Sequence, residues 1–128
     1  MNRLQKCIDR KRVNSSRPRE AIYKILLNSK GCLTVGEIAK KLLEQYGQKA
    51  STNTIYRHLR FFIDCELVFM IQDDLKKAYY FLCADEAKIF SICTKCNKIE
   101  NLEVNVCSEF KDADCITIHE ICQECKQV

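Results

Sequence analysis

The chain has 128 residues, of which 47% are hydrophobic and 30% charged, with a formal net charge of +4. That is enough to build a real core in one ordinary domain or two small ones. No run of 18 apolar residues occurs, which excludes a membrane-spanning helix, and no apolar stretch follows the first basic residues, so an intracellular, cytoplasmic protein is expected.

Charge is unevenly spread. Residues 1–60 carry 14 Lys+Arg against 4 Asp+Glu, a net of +10, whereas residues 61–128 carry 7 against 13, a net of −6. A basic half joined to an acidic half suggests one polyanion-binding region coupled to something else. Ten cysteines are present. In a reducing compartment they imply metal thiolates, redox chemistry or buried small hydrophobes rather than a disulfide scaffold.

In chain order, residues 1–13 are basic and weakly amphipathic, with Leu4, Cys7 and Ile8 as the apolar positions. They read as a short helix or a flexible arm, either solvated or touching a polyanion. Asn14-Ser15-Ser16 breaks the pattern. Ser16 is a good N-cap and Pro18 fits a first turn, so a helix is expected to about Ser29, with Gly31 as its C-cap. Thr34 and Glu37 form a capping box that opens a second helix, carrying Ile38, Ala39, Leu42, Leu43 and Tyr46 and stopped by Gly47.

Ser51 caps a third helix through to about Leu67. Ile55, Leu59, Phe62 and Ile63 recur at helical spacing and form its buried face. Asn53, Arg57 and Arg60 fall on the opposite side, with Thr54 and Tyr56 at its edges. Those amide, guanidinium, hydroxyl and phenol groups are the kinds that bond phosphates and base edges. Alone, the stretch fits an ordinary amphipathic surface helix equally well.

Residues 67–71 and 78–82 are β-prone and flank the polar turn Asp73-Asp74-Leu75-Lys76-Lys77, which reads as a hairpin with a basic tip. Three helices followed by a hairpin make a winged helix-turn-helix, whose third helix enters the major groove. Residues 83–88 read as a hinge. Ile89–Ile92 and Ile99–Val104 read as strands, residues 106–113 as a short helix, and Cys115–Ile121 as an alternating strand. The expected fold class is therefore α+β: a winged-helix domain over residues 1–82, then a small α/β domain over residues 89–128. The latter is too small for its core to suffice, so a metal or a dimer interface should help hold it.

The sharpest chemical signal is Cys93-x-x-Cys96 with Cys122-x-x-Cys125. Four thiolates at two strand ends match tetrahedral Zn²⁺, one ion per chain. A thioredoxin-type redox pair would need a βαβ context that is absent, and a labile iron–sulfur cluster is the other alternative. Of the remaining six cysteines, buried inert thiols are the expectation for most, with Cys32, Cys83, Cys107 and Cys115 as the candidates for a sensor thiol. His58 reads as a surface or phosphate contact and His119 as a strand residue. No Gly-rich phosphate loop or nucleophile–base pair is present, so neither an enzyme nor a small-molecule substrate is expected.

The order Ser16-x-x-Arg19-x-x-Ile22, Leu33-Thr34-x-x-Glu37-Ile38 and Ser51-x-x-Thr54-Ile55-Tyr56-Arg57-x-Leu59, followed by a hairpin and the two cysteine pairs, resembles the ferric uptake regulator family of bacterial metal- and peroxide-responsive repressors. The likeness runs over roughly residues 14–126. It implies a homodimeric transcriptional repressor that binds double-stranded DNA at an AT-rich inverted repeat, with the second domain as dimerisation domain and zinc holder. It implies that Tyr56 and Arg57 contact bases or backbone and that the region of Arg19 touches phosphate. Arg12, Arg17, Lys76 and Lys77 are expected to neutralise further phosphates, and Ser51, Asn53, Thr54 and Arg60 to complete the surface.

The sequence departs from the family's pattern at the regulatory metal. The family's His-rich segment is replaced by Ala87-Lys88-Ile89-Phe90, and a further His by Asp114. Cys32 stands where a His often precedes the second helix, and Phe81 where an acidic ligand is expected. These departures lead us to expect retention of the zinc and loss of the usual regulatory Fe²⁺ or Mn²⁺ site. A thiol-based redox regulator, or an interaction module without operator binding, stay open as alternatives.

Overall fold

The computed structural model describes residues 3–11, 16–83, 87–103, 108–110 and 112–127. They form two compact units: the chain up to Ile71 with Ala78–Leu82, and the stretch from Cys83 onward together with the hairpin turn Gln72–Lys77.

In the first unit, α1 (Arg3–Lys11), α2 (Arg17–Leu27), α3 (Val35–Tyr46) and α4 (Thr52–Asp64) precede the hairpin β1 (Val68–Gln72) and β2 (Ala78–Leu82). The caps are local chemistry written in the sequence. Ser16 Oγ accepts the Arg19 amide, Thr34 and Glu37 close a reciprocal capping box, and Ser51 Oγ accepts the Thr54 amide. Each satisfies amides that the first helical turn leaves unpaired, contributing about 1 kcal/mol. Gly47 ends α3 in the left-handed conformation at φ 62°. The C-cap of α2 is Asn28, not Gly31, because the chain leaves the helix three residues before the glycine. Recognition-helix candidate α4 stops at Asp64, where Cys65 caps it and Glu66 turns left-handed at φ 61°. Leu33 pairs with Tyr80 as a short bridge that ties the start of α3 to the hairpin.

Residues Leu4, Cys7 and Ile8 join Ile22, Leu26, Ile38, Leu42, Ile55, Leu59 and Phe62 in one core. The N-terminal segment is thus the short helix, with a buried apolar face, and not a flexible arm; Arg12 lies outside the described residues. Cys7 is joined to Cys65 in a disulfide, with Cα atoms 6.0 Å apart. This corrects the expectation of inert thiols at these two positions: the packing of α1 brings two buried cysteines to bonding distance.

In the second unit β3 (Lys88–Cys93) lies at the centre of a three-stranded sheet, between β4 (Ile99–Leu102) and β5 (Cys115–Glu120). β3 runs antiparallel to β4, with Ile89 opposite Leu102, and parallel to β5, with Lys88 opposite Cys115 and Cys93 opposite Glu120. Lys88 is therefore the first strand residue rather than the end of a hinge, and residues 84–86 lie outside the described set. The short helix expected over residues 106–113 is a single 3₁₀ turn at Ser108–Phe110 among the described residues, and α5 (Gln123–Lys126) follows β5.

Candidate nucleic-acid interface and metal centre

The buried face of α4 consists of Ile55, His58, Leu59 and Phe62. This leaves Ser51, Asn53, Tyr56, Arg57 and Arg60 exposed, with Thr54 half-buried. Arg60 also pairs with Asp64 at 3.7 Å, one helical turn on. Between α4 and the hairpin runs a groove of about 430 Å³, lined by Asn53, Tyr56, Arg57 and Arg60 together with Leu59, Ile63, Met70 and Tyr80. Burial, with Tyr56 beside it, pushes the Tyr80 phenol up.

Arg19 is brought to the same side. Its guanidinium carbon sits 4.1 Å over the Phe61 ring. Burial and the neighbouring Arg57 lower its pKa. Stacking on an aromatic face holds a guanidinium in a fixed plane while its charge stays available. Two like charges held close destabilise each other, and a bound anion such as a phosphate relieves that. Arg17 is exposed at the start of α2, and Lys76 and Lys77 are exposed at the hairpin tip.

His58 is placed differently from the surface or phosphate contact expected. It is 7% exposed, and its buried Nδ1 has no hydrogen-bond partner. Burial, then the charges of Arg19 and Arg57, hold its pKa below the ordinary histidine value. Helical spacing could have revealed this position, since His58 falls between Ile55 and Leu59 on the apolar stripe. The polar side chain made it read as surface.

In the second unit the parallel register does the decisive work. Cys93 ends β3 opposite Glu120, so the chain just beyond β5 returns Cys122 to the same end of the sheet. A tight turn brings Cys96 back. The Asn97 amide donates to the Cys93 carbonyl at 2.9 Å, and Asn97 adopts φ 63°, a conformation that asparagine tolerates. Cys122 caps α5, so Cys125 one turn on lies on its face.

All four sulfurs lie within 4.8 Å of one another. Cys93–Cys125 and Cys96–Cys122 are each separated by 3.8 Å. A tetrahedron with zinc–sulfur arms of 2.3 Å has edges of about 3.8 Å, so the donor set fits zinc. The amides of Lys95, Cys96 and Cys122 each donate to Cys93 Sγ at 3.4 Å. Hydrogen bonds from the Cys122 and Cys96 amides bring the Cys93 thiol down to about 6. The Cys125 thiol, sharing hydrogen bonds with Cys122, is pushed up to about 12. Zinc takes all four as thiolates, so its binding displaces the remaining thiol protons.

Cys32, Cys83 and Cys115 keep half-buried thiols outside this cluster, and Cys107 lies outside the described residues. The Cys115 thiol is pushed up by burial, against the opposing effect of Lys88. His119 is on β5, with Nδ1 3.6 Å from the Asp74 carboxylate, and is not part of the thiol cluster.

A winged helix with an exposed cationic, amide-bearing recognition face, followed by an α/β unit with a four-thiol cluster, defines a DNA-binding, metal-binding transcription regulator. The ferric uptake regulator family model matches residues 10–116, and the chain belongs to that family. Among solved structures, it is similar to the ferric uptake regulator of Helicobacter pylori, with a TM-score of 0.79 at 20% identity, covering 98% of this chain and 91% of that one. That structure is described as having three functional metal-binding sites. A zinc uptake regulator complexed with zinc and DNA matches with a TM-score of 0.58 at 17% identity, covering 97% and 91%. The peroxide-sensing regulator PerR of Streptococcus pyogenes matches with 0.57 at 16%, covering 95% and 90%. At these identities the likeness is one of fold. No curated protein sequence matches the chain. Among the described residues no helix is long and apolar enough to cross a membrane.

Proposed function

We propose that this chain acts in the cytoplasm as a homodimeric transcriptional repressor that binds an AT-rich inverted repeat in double-stranded DNA and holds one structural zinc per chain. The observation that carries the reading is the convergence of Arg19 and Arg57 beside the exposed Asn53 and Tyr56 on the face of α4. In that reading Arg57, Asn53 and Tyr56 read base edges. Arg17, Arg19, Lys76 and Lys77 neutralise phosphates, with Ser51, Thr54 and Arg60 completing the contact. Zinc, when bound by Cys93, Cys96, Cys122 and Cys125, would tie the β3–β4 turn to the start of α5 at one end of the sheet.

The usual regulatory Fe²⁺ or Mn²⁺ site is lost in this reading. Lys88 opens β3, Phe81 and Phe90 are fully buried rings, and Asp114 precedes β5. A cation and two apolar rings replace nitrogen and oxygen ligands where the family pattern expects them. The second reading, a thiol-based redox regulator, is favoured by one observation, the Cys7–Cys65 bond between α1 and the C-cap of α4.

The test is an operator titration beside elemental analysis. Native protein should carry one zinc per chain and bind a selected duplex equally well with and without added Fe²⁺ or Mn²⁺. Arg57→Ala should weaken that binding by roughly 1–3 kcal/mol. Unchanged affinity in the variant would refute the recognition surface, and a second metal required for binding would refute the lost site. Binding that changes on adding reductant, at constant zinc, would select the redox reading.

A further inference from the structure

The hairpin turn spends its hydrogen bonds and its backbone freedom in an unusual way. Asp73 is 6% exposed, although it lies at a polar tip. Its Oδ1 accepts both the Leu75 amide and the Lys77 amide, each at 2.9 Å. The main chain closes around it: the Lys76 amide donates to the Asp73 carbonyl at 2.9 Å, and the Asp73 amide to the Lys77 carbonyl at 3.1 Å. Within this closed turn Lys76 adopts φ 65°.

A left-handed residue at that place in a short hairpin loop is ordinarily glycine or asparagine, because a Cβ crowds the following carbonyl. A lysine there is less stable than a glycine would be. Backbone held in such a conformation persists only when its surroundings over-determine it, and it points to function. Asp73 supplies that over-determination. The product is a multiply hydrogen-bonded tip that carries two consecutive exposed lysines, Lys76 and Lys77.

We infer that Asp73 is a positioning residue for DNA binding, fixing the turn so that a left-handed Lys76 and its neighbour Lys77 are presented together to the phosphate backbone. The inference rests on the DNA-binding reading above. The acidic side chain sits in a basic tip because its carboxylate is spent on the turn's own amides. Preorganisation is the gain: the lysines need not be ordered at the moment of binding.

The test uses full-length protein and a 30-base-pair duplex selected from a random library, with affinity measured against salt. Lys76→Gly relieves the left-handed strain and removes the charge. It should melt no lower than native protein, yet flatten the slope of log affinity against log salt by about 1 per chain. Asp73→Ala should weaken binding in the native background and cause no further loss when Lys76 and Lys77 are already glutamine. Asp73→Asn keeps the acceptor oxygen and should bind like native protein. An unchanged salt slope in Lys76→Gly would overturn the inference while the DNA-binding reading stands. An equal loss from Asp73→Ala in both backgrounds would make Asp73 merely structural. Native protein that binds no duplex overturns the reading and the inference with it.

Discussion

The first unit is held by one apolar core and a Cys7–Cys65 disulfide, whereas the second has little buried surface and a cluster of four thiols. In the first, four helices and a hairpin surround a single apolar cluster whose centre is Ile22, Ile38, Leu42, Ile55 and Phe62. In the second, β3 is buried along its length, but β5 is half to fully exposed and β4 is largely half-buried. A three-stranded sheet of four- to six-residue strands cannot bury enough apolar surface to offset its ordering entropy. The four thiols at one end of that sheet are the natural supplement. Packing changes should therefore strike the first unit and metal changes the second.

The largest expected effect lies in the second unit. Binding of structural zinc is folding free energy, of order 10–16 kcal/mol in small zinc domains. Chelation, or Cys122→Ser, should abolish the amide-exchange protection of β3, β4 and β5 while leaving α2, α3 and α4 protected. If the sheet of the metal-free protein stays protected, the supposed contrast between the two units fails.

Next comes the core of the first unit. Phe62 is fully buried and meets Tyr23 and Phe61 edge-on, with ring centres 6.0 and 5.9 Å away. Phe62→Ala should cost about 3–5 kcal/mol, read as a lower urea midpoint for the helical signal. Zinc content should not change, because the thiol cluster belongs to the other unit.

A smaller loss is expected from opening the Cys7–Cys65 bond, which closes a separation of 58 residues. Loops of this length are stabilised by about 2–4 kcal/mol when cross-linked. Cys7→Ser should therefore lower the melting point of the helical unit and make it insensitive to reductant. A variant that melts with native protein under oxidising conditions would show that the bond contributes nothing.

How much of this was legible in the sequence follows from which interactions are local. Ser16, Thr34 with Glu37, Ser51 and Gly47 act within a few residues of themselves, so three helix starts and the end of α3 could be read directly, while the ends of α2 and α4 fell short of Ser29 and Leu67. The two Cys-x-x-Cys pairs are likewise short-range signatures. The parallel pairing of β3 with β5 is not, because it depends on a return of the chain across more than twenty residues, and only the register shows why Cys93 and Cys122 meet. Cys7 and Cys65 were unreadable as a pair for the same reason. His58 is the opposite case: its position on the stripe was visible, and its chemistry drew attention away from its spacing.

That histidine gives the smallest effect and the finest test of the contrast. Burial, with Arg19 and Arg57 nearby, lowers the pKa of His58 in the folded protein below its unfolded value. Below about pH 6.5 the unfolded chain takes up a proton that the folded chain still refuses, so the unfolded state binds more protons and stability drops as pH is lowered. The contribution is fully present above the unfolded value and is lost as pH falls through it towards the lowered folded value. Between pH 8 and pH 5 the melting point of the helical unit should therefore fall more steeply in native protein than in His58→Leu, which removes the titrating group and keeps an apolar side chain on the stripe. His119 is half-exposed on β5 and belongs to the other unit, so it is common to both proteins and cancels in the comparison. Parallel pH profiles would mean that His58 exchanges protons as freely folded as unfolded, and that the charge of Arg19 and Arg57 is not felt inside α4.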